Sequence, residues 1–167
     1  MTKYYLQAEA FNIAHVIYDT YDISTIRGGS FMLLAAIKRL EIAVPGLKAI
    51  ATAASSGLFT YEDSGNLEAQ KEGKAKQVLK ALNDYTEGHA TFLVAVEEDK
   101  DNFTQAIDLL EADLRRQQWR MPTVIVPPFA STDQECYFDG WRPGTYTVDE
   151  LEGIRISEAA RFRRKIG

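Results

Sequence analysis

What most constrains this chain is the order in which strand-like and helix-like hydrophobic patterns alternate along it. Lys3 to Phe11 reads as a strand rich in aromatic and aliphatic residues, with Lys3, Gln7 and Glu9 leaving one face partly polar. Asn12 to Asp19 places Ile13, Val16 and Ile17 at helical spacing, and a turn-rich stretch, Asp19 to Ser30, follows. Within it Asp22, Ser24 and Ser30 suit backbone capping, and Gly28 and Gly29 permit positive φ. Ser30 is the expected N-cap of a buried helix, Phe31 to Ile42, striped by Leu33, Ala36, Ile37 and Leu40 and stopped by Pro45-Gly46. Leu47 to Thr52 and Leu58 to Glu62 read as two strands, and the small residues Ala53 to Gly57 suit a hairpin between them. Asn66 caps a predicted helix running to about Thr86, with Ala75, Val78, Leu79, Leu82 and Tyr85 inside and Gly88 as its stop. Ala90 to Val96 has the apolar run of a doubly covered central strand. Asn102 with Gln105 then opens a helix over Phe103 to Gln118, striped by Phe103, Ala106, Ile107, Leu110 and Leu114.

Strand, helix, hairpin of strands, helix, strand, helix is the order of a split β-α-β unit with one extra helix. The expected class is therefore α+β on the ferredoxin-like plan, with the hairpin supplying two adjacent strands and the helices covering one face of the sheet. After Trp119 the texture changes. Residues 121–128 read as extended and proline-bounded, residues 129–153 carry turn signals with little periodicity, and Ile154 to Ile166 suits a short helix with a basic outer face. The expected division is a domain over 1–120 and a small irregular appendage over 121–167. A length of 167 residues suffices for a real core.

Composition narrows the function classes. With 46% hydrophobic and 26% charged residues, wholesale disorder, collagen and coiled coil are excluded. No apolar run approaches the roughly 20 residues needed to span a bilayer, and Glu9 interrupts the start before any signal segment forms. The cytoplasm is the expected address, and no membrane partner is expected. Residues 155–167 hold five basic groups against Glu158, a net of +4, which leaves −9 on the first 154 residues. That tail, with Arg161, Arg163, Arg164 and Lys165, reads either as a contact for RNA or an acidic partner or as a solvated helix end.

Few residues carry recognisable chemistry. His15 and His89 are isolated, and Cys136 is the one cysteine, so neither an internal disulfide nor a zinc site within the chain is expected. No P-loop, GxGxxG, HExxH or GxSxG motif occurs. Glu62, Asp63 and Glu97-Glu98-Asp99 fall at strand ends, where acids are commonly just solvated. Ile26-Arg27-Gly28-Gly29-Ser30 admits two readings. At a helix start, successive glycine amides with Arg27 form an anion site for phosphate; otherwise the glycines only permit close packing.

Asp19-Thr20-Tyr21-Asp22-Ile23-Ser24-Thr25-Ile26-Arg27-Gly28-Gly29-Ser30 resembles a segment of the palm-containing large subunit of type III CRISPR effector complexes, where an acid-rich turn and an (I/L)RGGS-like sequence follow the first strand of the first palm. Further resemblances follow in order. Ile50 to Glu62 is similar to the palm hairpin, and Ala75 to Val96 to the next helix and strand. Cys136-Tyr137-Phe138-Asp139-Gly140-Trp141-Arg142-Pro143 resembles the family's Cys-x-x-Cys-Gly-x-Arg-Pro zinc-ribbon segment, and Ser157 to Gly167 the Ser-x-x-x-x-Arg-Arg-x-x-Gly stretch that closes it.

The resemblance implies a palm of nucleotidyl-cyclase type. In that family two such palms hold two ATP molecules and, with a divalent metal, make cyclic oligoadenylate when target RNA is bound. It implies Arg27, Gly28, Gly29 and Ser30 at the phosphates, with Ser55, Ser56 and Gly57 near the ribose or phosphate. It also implies other effector subunits, a second palm, guide RNA and target RNA as partners. The departures are equally definite. The hairpin Ala53-Ala54-Ser55-Ser56-Gly57 lacks both aspartates of the family's Gly-Gly-Asp-Asp metal motif, so no catalytic or metal-binding residue is expected, and magnesium or manganese would enter only through a partner palm. Asp139 stands where the ribbon has its second cysteine, so no zinc is expected. Two other readings stay open: a purely structural palm capping a ribonucleoprotein, and a stand-alone cyclase-like enzyme using Asp19, Asp22 or Glu62.

Overall fold

A computed structural model describes residues 1–122, 128–130, 133–148 and 153–167. It is a mixed α+β protein with a small antiparallel sheet and packed helices. The elements in chain order are β1 (Thr2–Phe11), α1 (Ala14–Ile17), α2 (Ile23–Lys38), α3 (Leu40–Ala43), β2 (Lys48–Thr52), β3 (Ser56–Asp63), α4 (Leu67–Thr86), β4 (Thr91–Glu98), α5 (Phe103–Gln118), β5 (Tyr146–Val148), β6 (Ile154–Ile156) and α6 (Glu158–Ile166). Among the described residues no helix is long and apolar enough to cross a membrane. The extended reading of residues 121–128 falls mainly on positions outside those described.

The chain forms two compact units, Met1–Phe11 with Leu33–Met121, and Asn12–Met32 with Pro122–Gly167. A single cut near residue 120 therefore does not divide it, because residues 12–32 group with the C-terminal segment.

In the first unit the strand order is β2-β3-β1-β4, and every pairing is antiparallel. The central strands are β3 and β1, so β4, expected to be central, is an edge strand that pairs, among the described residues, with β1 alone. Alternation along β1 and β4 assigns their faces. Tyr5 and Phe11 of β1 and Leu93 and Ala95 of β4 pack with Ala106, Leu110 and Leu114 of α5. Phe92, Val94 and Val96 point to the opposite face and are also buried, and α4 packs along β4 there. Helices therefore cover both faces at β4, not one face as expected, and this burial on both sides explains why β4 reads as an unbroken apolar run. Caps fall where side chains supply them. The Asn66 side chain accepts from the Ala69 amide at 2.9 Å, and that of Asn102 from the Gln105 amide at 3.1 Å. Glu87, in the left-handed region, and Gly88 close α4.

The hairpin differs in detail from its expected form. β3 begins at Ser56, so Gly57 lies in the strand, opposite Ala8. A β-carbon there would meet the Phe59 ring at 2.6 Å and Ile37 Cγ2 at 2.9 Å. Gly57 is thus a close-packing residue under α2, and only Ala53 to Ser55 turn the chain.

The second unit contains a two-stranded ribbon, β5 paired with β6, followed by α6. Cys136, Ile156 and Ala160 form its small core, with Phe138, Tyr146, Val148 and Ile154 packed around them. Ser157 caps α6, so the expected helix from Ile154 begins as strand and becomes helical only after this serine.

Candidate functional site

The largest departure from expectation is the start of α2. Asp22, not Ser30, performs the capping: its carboxylate accepts from the Thr25 amide at 2.8 Å and from the Thr25 hydroxyl at 2.7 Å. The helix begins at Ile23, so Arg27, Gly28, Gly29 and Ser30 lie inside it. Interior amides of an α-helix donate to carbonyls four residues back and are not aimed at a ligand. Ser30 itself donates its hydroxyl to the Ile26 carbonyl at 3.2 Å. The expected anion loop is therefore absent from these four residues.

The glycines serve close approach instead. A β-carbon on Gly29 would lie 2.6 Å from the Val16 carbonyl oxygen, and one on Gly28 would collide with the Arg163 carbonyl. Arg27 donates to the Gly167 carbonyl. The two glycines thus form a flat helix face on which α6 lies, and this packing outweighs their poor intrinsic helix propensity.

Around that contact the three segments that carry the family resemblance converge. Arg163 is 1% exposed, and its guanidinium donates to Asp19 at 2.8 and 3.3 Å and to the Val16 carbonyl, while its Nε reaches the Ala159 carbonyl at 3.2 Å. Arg142 donates to the same Asp19 carboxylate, to Asp139 at 3.0 Å and to the His15 carbonyl at 2.9 Å, and lies over the Trp141 ring. Arg164 donates to both Asp22 oxygens at 2.8 Å and sits over the Phe138 ring. Three carboxylates are thereby matched by three guanidiniums, the arrangement that makes buried charge tolerable.

Asp139 organises the turn in which it stands. Its carboxylate accepts from the Trp141 amide at 3.2 Å, the Arg142 amide at 3.0 Å and the Ser157 hydroxyl at 2.9 Å. Burial pushes this carboxyl up, but the Arg142 amide, the Arg142 charge and the Ser157 hydroxyl outweigh it, so it titrates below the usual carboxylate range. Asp22 behaves alike: burial raises it, and the Thr25 hydroxyl and amide with Arg164 bring it below its ordinary value. Cys136 is buried, its amide donating to the Arg142 carbonyl at 2.8 Å and its carbonyl accepting from Gly140 at 2.8 Å. An ion-paired aspartate thus holds this turn. Among the described residues no group of three His, Cys, Asp or Glu side chains is arranged to hold a metal ion.

The predicted site residues are divided between the two units: residues 27–30 and 161–165 belong to the second, and Ser55, Ser56 and Gly57 to the first. Ser55 and Ser56 are half-buried, and their carbonyls accept from the Ala10 and Ala53 amides at 2.7 and 2.8 Å. Arg163 and Arg164 are committed to internal pairs, which corrects their assignment to an RNA or partner surface; of the four tail residues, only Arg161 and Lys165 are exposed. Arg161 lies over the Tyr146 ring. Of the acids invoked for a stand-alone enzyme, Asp19 is occupied by Arg142 and Arg163 and Asp22 by Arg164, while Glu62 lies exposed near the end of β3. Arg142 and Asp139 are the residues whose importance sequence reasoning missed. The available signal was the aspartate at the ribbon's second cysteine position.

No family model matches the chain, and comparison with curated proteins gave no match.

Proposed function

We propose that the chain is the catalytically degenerate first palm, with its ribbon-like segment, of the large subunit of a type III CRISPR antiviral complex. There it docks on neighbouring subunits and a second palm and helps hold ATP for cyclic oligoadenylate synthesis. The observation that carries the reading is convergence. Asp19 and Asp22, the Cys136–Pro143 turn and the Ser157–Gly167 stretch each resemble a segment of the family, and they meet in one unit through Asp19, Arg142, Asp139, Arg163 and Arg164. The strand order β2-β3-β1-β4 supports it as well. With α2 between β1 and β2 and α4 between β3 and β4, the connectivity is that of a split β-α-β unit, which is what the palm reading requires.

With residues 27–30 inside a helix, the chain's share in ATP binding falls on the hairpin, at Ser55 and Ser56, where small side chains let a nucleotide approach. The metal and its carboxylates come from the second palm. The same helical burial favours a second reading, a purely structural palm that binds no nucleotide. Titration with ATP and magnesium, following the Ser55, Ser56 and Gly57 amides by NMR, separates the two. Shifts confined to the hairpin support the ATP role, and silence at millimolar ATP leaves scaffolding.

A further inference from the structure

The C-terminal end of α5 combines features that no role described so far uses. Arg115, Arg116, Trp119 and Arg120 line a shallow, open depression of about 610 Å³. Trp119 is 90% exposed, yet its backbone is helical and its amide donates to the Arg115 carbonyl at 3.1 Å, so the indole stands on an ordered support. Two of the guanidiniums are braced without being buried. Arg115 donates to Glu9 at 3.4 Å and to Gln118 at 3.0 Å, and Arg116 pairs with Asp113.

We propose that this patch binds single-stranded RNA, with a base stacked on Trp119 and the flanking phosphates met by Arg115, Arg116 and Arg120. Basic residues in a last helical turn complement the helix dipole, which accounts for arginines but not for a bare indole among them. The floor is the apolar indole and arginine stems, and three guanidinium heads belong to the same residues. A protein partner burying the tryptophan would have to supply matching acids, whereas a nucleic acid brings a flat base for the floor and phosphates for the heads together. Planar cations beside an open aromatic face are instead the elements of a sequence-tolerant nucleic-acid platform. Counting Glu9 and Asp113 against the three arginines leaves the patch at +1 on a chain whose net charge is −5, and Arg120 has no acid paired with it among the ion pairs described. This RNA contact needs neither a second palm nor the type III assignment, and it differs from the basic tail, where Arg163 and Arg164 are internally paired.

The test uses the whole chain labelled with 5-fluorotryptophan, in which Trp119 and Trp141 give two fluorine resonances and Trp119→Phe identifies the first. A ten-nucleotide single-stranded oligouridylate should shift the Trp119 resonance and leave that of Trp141 in place. Trp119→Ala should weaken binding about tenfold or more. Replacing Arg115, Arg116 and Arg120 by Gln should reduce the salt dependence by about two units of slope, at about 0.7 per phosphate contact. No shift at millimolar strand overturns the proposal. So does an equal shift with duplex RNA or polyglutamate, or an unchanged salt slope in the triple variant. Because the readout is binding by the isolated chain, its failure is separable from failure of the palm assignment.

Discussion

Arg163→Met replaces the most deeply buried cation with an apolar side chain of similar length. In the native chain its guanidinium neutralises Asp19, whose carboxylate is 2% exposed, and satisfies the Val16 and Ala159 carbonyls. Removing one partner of a buried pair costs about 3–5 kcal/mol, because a charge is left behind in low dielectric. Arg142 still faces Asp19, so the lower end applies. A loss of about 3 kcal/mol is expected, equivalent to an about 150-fold fall in the folding equilibrium constant. The assay is urea unfolding followed by Trp141 emission in a Trp119→Phe background, which reports the unit that contains the network. Arg163→Lys should lose a large part of the same stability, since an ammonium cannot reproduce the fork that reaches both Asp19 oxygens. Arg161→Met, whose side chain lies exposed over Tyr146, should lose under about 1 kcal/mol. A cycle with Asp19→Asn should return a coupling of about 2 kcal/mol. If Arg163→Met costs no more than Arg161→Met, the reasoning fails, because the buried network would then contribute nothing beyond a surface charge.

Other expectations follow from the same geometry. Gly29→Ala should destabilise by about 1–3 kcal/mol through contact with the Val16 carbonyl, whereas Gly73→Ala, on an open face of α4, should stabilise by about 0.5–1 kcal/mol; thermal unfolding of both variants checks the contrast. Asp139 and Asp22 titrate below the ordinary carboxylate range, so their stabilisation is complete above about pH 4 and is lost as pH falls through their lowered values. Urea midpoints between pH 6 and 2.5 should fall less steeply for Asp139→Asn than for the native chain. Adding zinc or a chelator should leave the thermal midpoint unchanged, while a zinc-dependent rise would restore a metal role to the Cys136 turn.

Much of the first unit could be read from the chain because its signals are local. The Asn66 and Asn102 caps, the α4 and α5 stripes and the apolar run of β4 each depend on neighbours within a few residues. The second unit depends on distant partners and was largely hidden. Asp19 meets Arg142 and Arg163 across more than a hundred residues, so its turn-rich stretch reads from the sequence only as local backbone capping. Gly28-Gly29 looked like a break because glycine weakens isolated helices; only α6 lying on that face makes glycine the suitable residue. Arg163 and Arg164 looked like a free basic tail because sequence alone does not reveal which charges are paired.

The central claim, a palm that cannot catalyse alone, is tested most directly by mass spectrometry of its products. Purified chain incubated with ATP and manganese should give no oligoadenylate. Addition of a second palm carrying the Gly-Gly-Asp-Asp hairpin, within a target-bound type III complex lacking its own first palm, should restore cyclic oligoadenylate. Robust synthesis by the chain alone, or no synthesis after it is supplied to that complex, would contradict the account.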